Sequence, residues 1–174
     1  LNKKKSVKVG IDEVSSSARA LLDLWFYLRY QAKPGDLLMI DEPELNLHPE
    51  NQRKLARLLA AISRAGIRIF ITTHSDYIIR ELNTLILLHN KGESVFTNDI
   101  LKNEGYCSHE TLPYDSIQVY TSGQSSTRIP GNTRRTKINT LTPSKVDHTG
   151  ISLYTFDNTI DKMNKIQDYL IWGE

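Results

Sequence analysis

Two apolar runs end abruptly in polar residues, "LLMI" before "DEPELNLHP" and "IRIFITT" before "HSD", and a helical pattern separates them. A continuous apolar run such as "LLMI" reads as a strand buried on both faces. Between the runs, Pro49 suits a first helical position, and Leu55, Leu58, Leu59 and Ile62 fall on one stripe. Gly66 can end that helix. Strand, helix and strand within about 35 residues predict a right-handed parallel crossover. In an open parallel sheet, ligands sit outside the carboxyl ends of the strands. Asp41 and Glu42 end the first strand and His74 follows the second. If the strands are neighbours, two acids and an imidazole meet on one rim.

The rest of the chain is read around this unit. "SVKVGI" is a short strand candidate, and "SSSARALLDLWFYLRY" is a helix with Leu21, Leu24, Trp25 and Leu28 at helical spacing behind a serine cap. The aromatic residues Trp25, Phe26 and Tyr27 suit a core or a subunit interface better than a cofactor box. Past about residue 90 the character changes. The segment "HNKGESVFTNDILKNEGYCSHETLPYD" reads as mixed loop and short helix. "SIQVYT" and "TKINTL" are strand candidates for a hairpin around "SGQSSTRIPGNTRR". The last stretch, "FDNTIDKMNKIQDYLIW", puts Ile160, Met163, Ile166 and Leu170 on one helical face with Asp157 as its cap. The expected division is a core lobe at 1–90 and, at 91–174, a trailing loop, hairpin and helix packed on the same domain.

Composition excludes several classes. With 174 residues, 39% hydrophobic and 24% charged, the chain is long enough for one sizeable core and is not disordered in bulk. A net charge of +2 does not by itself call for a polyanion partner. The single cysteine, Cys107, rules out an internal disulfide and suits a cytoplasmic location. No apolar run approaches the roughly 20 residues that span a bilayer, and "LNKKKSVKV" lacks the apolar stretch of a signal peptide.

Four apolar residues followed by Asp-Glu form the Walker B arrangement of P-loop ATPases. The first carboxylate, Asp41, would hold Mg²⁺ through its water shell, and the second, Glu42, would orient or deprotonate the attacking water. Taken alone the hexapeptide says little, since many strands end in acids. In context, "DEPELNLHPENQ" followed by "ITTHSDYIIRELN" resembles the heads of ABC-class ATPases, in particular those related to the SMC, RecF and OLD families. The resemblance implies a parallel-sheet P-loop NTPase fold whose C-terminal lobe ends in a short mixed β/α extension. It also implies ATP and Mg²⁺ as ligands, and a D-loop over Leu45–Gln52 with Asn46 and His48 near the nucleotide. His74 would be the switch histidine that contacts the γ-phosphate. An imidazole can donate to a developing phosphate oxygen there.

Upstream, "IDEVSSSARALLDL" is similar to the ABC signature region, with Ser15, Ser16 and Ser17 in its place. Glycine and Gln or Glu are absent from it, although hydroxyls and helix amides still suit a phosphate. In the family this segment reaches the nucleotide on a second subunit, which implies a head-to-tail homodimer. No GxxxxGK[ST] loop occurs, and "TSGQSSTR" lacks the lysine and the strand–loop–helix setting. The chain starts at Leu1 just before the signature-like segment, so it resembles the C-terminal half of a head whose P-loop lobe precedes it. Its coupled partner would be DNA or an effector protein, with no membrane.

Two other readings stay open. One is a metal-dependent nuclease built from Asp41, Glu42, Glu44, His48 and His74. The other is a non-catalytic nucleic-acid-binding module that uses the basic stretch 121–145, inside the acid-free span 116–146, with Arg128, Arg134, Arg135, Lys137 and Lys145. A solvated hairpin loop is the simpler and favoured reading of that stretch.

Overall fold

The computed structural model describes residues 10, 15–92, 94–128, 135–152 and 154–172. The chain forms two compact units, Leu1–Glu81 and Leu82–Glu174. The strand expected at "SVKVGI" lies outside the described residues, apart from Gly10.

The first unit opens with α1 (Ser16–Ala20) and α2 (Leu22–Tyr30). Ser15 caps α1, its Oγ accepting from the Ala18 amide at 3.3 Å, which satisfies one of the free donors of the first turn. One continuous helix was the expectation. The chain instead breaks at Leu21, whose amide turns back to the Arg19 carbonyl. The core reading of the aromatic residues also fails, because Trp25 and Phe26 are 52% and 48% exposed. They stack edge to face at 5.0 Å between centroids, and Trp25 meets Tyr30 at 6.0 Å. Tyr27 is more enclosed. Its hydroxyl donates to Asp36 Oδ2 at 2.9 Å, and the Lys33 amide donates to the same oxygen at 2.9 Å. The Lys33 amide, and then Tyr27, hold the Asp36 carboxyl below its ordinary range. Desolvation, and then that carboxylate, push the Tyr27 hydroxyl up.

β1 (Leu37–Asp41) and β2 (Arg68–Thr72) pair in parallel, Leu37 opposite Arg68 and Asp41 opposite Thr72. The crossover is α3 (Pro49–Arg64), with Pro49 in its first turn and the left-handed Gly66 (φ 91°) just past its end. Its buried face is Leu55, Ala56, Leu59, Ala60 and Ile62. Leu58, expected in that stripe, is 41% exposed; the small Ala56 and Ala60 form the inner ridge and turn Leu58 to the rim. β1 is not buried on both faces. Leu38, Ile40, Ile69 and Ile71 are partly covered, whereas Leu37, Met39 and Phe70 on the other face are 54%, 64% and 53% exposed. Two strands with α3 packed against them leave that face open among the described residues.

α4 (Asp76–Lys91) follows β2, and the boundary between the units falls within it. Ser75 starts it, Oγ accepting from the Ile78 amide at 3.1 Å. In the first unit, Arg53 and Arg57, one helical turn apart on α3, donate from Nε to the two carboxylate oxygens of Glu81 at 2.7 and 2.6 Å.

The second unit contains α5 (Val95–Asn103), capped by Ser94, and short 3₁₀ turns at Ser108–Glu110 and Tyr114–Ser116. The expected hairpin is present as β3 (Val119–Arg128) and β4 (Arg135–Ser144), antiparallel from the Val119–Ser144 pair to the Arg128–Arg135 pair. Its strands are longer than "SIQVYT" and "TKINTL". Residues such as Ser122 to Ser126 are exposed, so the ribbon pairs through its backbone without needing apolar alternation. α6 (Tyr154–Trp172) begins three residues before Asp157, the cap expected from the sequence. Of the expected face, Met163, Ile166 and Leu170 are 56%, 52% and 77% exposed, and the Ile160 side chain lies outside the described residues. No described helix is long and apolar enough to cross a membrane.

The small hairpin β5 (Val146–Asp147) and β6 (Gly150–Ile151) is tied to α4 through Asn83, whose Oδ1 accepts from the Ile151 amide at 2.7 Å. Gly150 has φ 112°, and a Cβ there would lie 2.8 Å from Asn83 Oδ1. Gly150→Ala should therefore destabilise the protein by about 1–3 kcal/mol, read as a lowered urea midpoint. An unchanged midpoint would show that neither the backbone conformation of Gly150 nor its contact with Asn83 constrains this position.

Candidate functional site

The parallel register brings the ends of β1 and β2 side by side, as the sequence predicts. Asp41 stands opposite Thr72, and Asp41 Oδ1 accepts a hydrogen bond from Thr72 Oγ1. The Glu42 amide donates to both the carbonyl and the hydroxyl oxygen of Thr72, each at 3.1 Å. Glu42 adopts a left-handed backbone with φ 44°, unusual for a residue with a side chain. This break ends the strict two-sided alternation of the strand, so Asp41 and Glu42 are not forced to opposite faces. His74 Nε2 lies 3.6 Å from Glu42 Oε1. The Glu42 side chain is 34% exposed and that of His74 82% exposed. An acid at the strand end, a second acid and an imidazole thus share one rim.

Glu44 is the group that the sequence under-read. It is only 7% exposed. Its Oε1 accepts from Thr73 Oγ1 at 2.7 Å and from the His74 amide at 2.8 Å. Its Oε2 is buried without a hydrogen-bond partner among the described residues. Gln52 is a second tie. Its Nε2 donates to the Leu47 carbonyl at 2.9 Å and its Oε1 accepts from Ser75 Oγ at 2.5 Å. The signal for both ties was present in the Thr-His-Ser run and in the glutamine at the start of α3. Only the fold shows which oxygen each hydroxyl reaches.

The other expected residues sit as follows. Asn46 occupies the turn after β1 with φ 62°, and its carbonyl accepts from Ser17 Oγ at 2.6 Å. The serine-rich start of α1 and the turn after β1 are therefore joined. Ser15 uses its hydroxyl to cap α1, and Ser16 is exposed at its start. His48 is the N-cap of α3, its Nδ1 accepting from the Glu50 amide at 3.3 Å, which gives this histidine a structural task of its own.

The five-ligand nuclease constellation does not assemble. Among the described residues, the group of three or more potential metal ligands within 4.8 Å of one another is Cys107, His109 and Glu110. That group does not contain Asp41, Glu42, Glu44, His48 or His74. There the Glu110 carboxylate caps its own 3₁₀ turn, accepting from the Cys107 amide at 2.9 Å. Of the basic stretch, residues 129–134, Arg134 among them, lie outside the described residues.

The parallel crossover and the rim of two acids and an imidazole form one α/β frame. A family described as "AAA domain, putative AbiEii toxin, Type IV TA system" matches residues 2–80. The chain is 29% identical over 80 residues to the energy-coupling factor transporter ATP-binding protein EcfA2 of Mycoplasma pneumoniae, across 44% of this chain and 26% of that protein. It is 32% identical over 64 residues to the energy-coupling factor transporter ATP-binding protein EcfA of Methanothermobacter thermautotrophicus, across 37% and 21%. Against protein SNQ2 of Saccharomyces cerevisiae the identity is 38% over 74 residues, across 41% and 5%. The chain spans at most 26% of the length of these relatives. No solved structure matches it significantly. Together the family match and the ATP-binding relatives support a P-loop ATPase domain of the ABC type over residues 2–80.

Proposed function

We propose that the chain is the C-terminal part of an ABC-type ATPase head, related to the SMC, RecF and OLD heads, that hydrolyses ATP as a head-to-tail homodimer. The observation that carries this reading is the Glu42–His74 approach of 3.6 Å beside Asp41 at the paired strand ends. Glu42 takes the proton of the attacking water, whose oxygen bonds the γ-phosphorus as the bond to ADP breaks. His74 donates to the γ-phosphate oxygens as charge develops on them. Asp41 fits Mg²⁺ held through water: it is an exposed carboxylate at the strand end, with one oxygen steadied by Thr72. Bound there, the ion would neutralise charge on the phosphates. Ser15, Ser16 and Ser17 face the nucleotide of the opposite subunit in this reading, with Asn46 and His48 in the loop beside it.

The phosphate-cradling loop comes from a segment outside Leu1–Glu174. The exposed sheet face of Leu37, Met39 and Phe70 supports this, since it offers an apolar bed for further structure. The turnover of this head is coupled to DNA or to a defence effector in the cytoplasm. With its P-loop lobe, the protein should release phosphate from ATP in a Mg²⁺-dependent reaction, and His74→Ala should lower the rate about 10-fold or more. The 174-residue chain by itself should bind ATP poorly in calorimetry. Tight ATP binding by this chain alone, or DNA cleavage with Mg²⁺ or Mn²⁺ and no nucleotide, would replace this reading with another.

A further inference from the structure

We propose that Glu44 is a positioning residue for this site: it grips the backbone that presents His74 and so sets where the imidazole stands relative to Glu42. The proposal rests on the ATPase reading for its catalytic consequence.

Thr73 and His74 lie between the end of β2 and Ser75, which caps α4, so neither the strand ladder nor the helix includes the His74 backbone. The His74 side chain is 82% exposed and has little packing to hold it. Its place is inherited from its own backbone. That backbone is wrapped around one oxygen of a buried acid. Glu44 Oε1 accepts from the His74 amide and from Thr73 Oγ1, and Thr73 Oγ1 in turn accepts from the Ser75 amide at 3.0 Å. Two donors thus converge on one oxygen, which ties the link between the end of β2 and the cap of α4.

Glu44 follows Glu42 by two residues in the same turn, and the Leu45 amide closes that turn on the Glu42 carbonyl at 3.1 Å. One turn therefore carries the water-activating acid on its first residue and the anchor of the opposing imidazole on its third. The second oxygen of Glu44 is buried with no partner among the described residues. A packing role alone would be met better by an apolar side chain, because a buried lone acceptor is costly. Only one oxygen grips the segment, so the amide of Glu44→Gln can supply the same acceptor.

The test compares Glu44→Ala and Glu44→Gln in the protein with its P-loop lobe, together with the His74 amide resonance and its hydrogen exchange. Glu44→Ala should lower kcat about 10- to 100-fold, the scale of a misplaced catalytic group, with KM for ATP changed less than about twofold. Glu44→Gln should restore most of kcat, and the His74 amide should be protected in the wild type and in Glu44→Gln but not in Glu44→Ala. A wild-type kcat in Glu44→Ala, a loss carried in KM, or a Gln variant no better than Ala would overturn the proposal. If Glu44→Ala does not fold, Thr73→Val takes its place, with the same kcat-selective loss expected and an unchanged kcat counting against. If the wild type hydrolyses no ATP, the ATPase reading fails by itself, and the protection of the His74 amide then decides the positioning claim.

Discussion

If the proposed ATPase reading holds, Glu42→Gln in a protein that includes a P-loop lobe should lower ATP turnover by about 10²- to 10⁴-fold, the range of a lost general base, while ATP binding should persist. The carboxamide keeps the shape of the side chain and can still orient a water, but it cannot accept the proton. The fold around it is not expected to move, because the Glu42 backbone is held by Thr72 through main-chain and hydroxyl oxygens. Asp41 keeps its own bond from Thr72, so the carboxylate proposed to hold Mg²⁺ should stay in place. With binding intact and hydrolysis stopped, the ATP-bound dimer should accumulate. Phosphate release measures the first effect, calorimetry the second, and size-exclusion chromatography with ATP the third. A variant with wild-type turnover would strip Glu42 of its assigned role.

The second large effect is on stability. Glu81→Ala should destabilise the first unit by about 3–5 kcal/mol, the usual cost of removing one partner of a buried ion pair. Glu81 is 3% exposed on its side chain, and Arg57, which donates to it at 2.6 Å, is 15% exposed. Truncation leaves that guanidinium desolvated without its counter-charge. Arg53, at 36% exposure, can rehydrate and contributes less. A urea titration followed by circular dichroism reads the loss. A shift below about 1 kcal/mol would place the pair with surface ion pairs.

The crossover and the rim of the site were legible in the sequence because both follow from periodicity. Apolar runs and a 3.6-residue stripe fix strand, helix and strand, and the parallel pairing then makes Asp41, Glu42 and His74 neighbours. What stayed hidden was set by tertiary contacts. Leu58 and Ala56 sit two positions apart on α3, and only the packed helix shows that the alanine is the inner one. The open face of β1 could not be read, since "LLMI" is equally apolar whether one layer or two cover it. The role of Glu44 depends on which oxygen meets the His74 amide, and no spacing rule encodes that. The extra length of β3 and β4 was missed because a solvated ribbon needs no hydrophobic alternation. The ion pair of Arg53 and Arg57 with Glu81 was half visible: the arginines are one turn apart, but their partner lies on another helix.

The two-stranded sheet has a practical outcome for anyone preparing this polypeptide. Both of its strands are outer strands among the described residues, and they flank a strip of Leu37, Met39 and Phe70 that water touches. Unpaired strand edges beside exposed hydrocarbon are templates for sticking to other copies. Samples of this polypeptide should therefore scatter light increasingly with concentration, and charged substitutions at Met39 or Phe70 are the direct way to keep them dispersed.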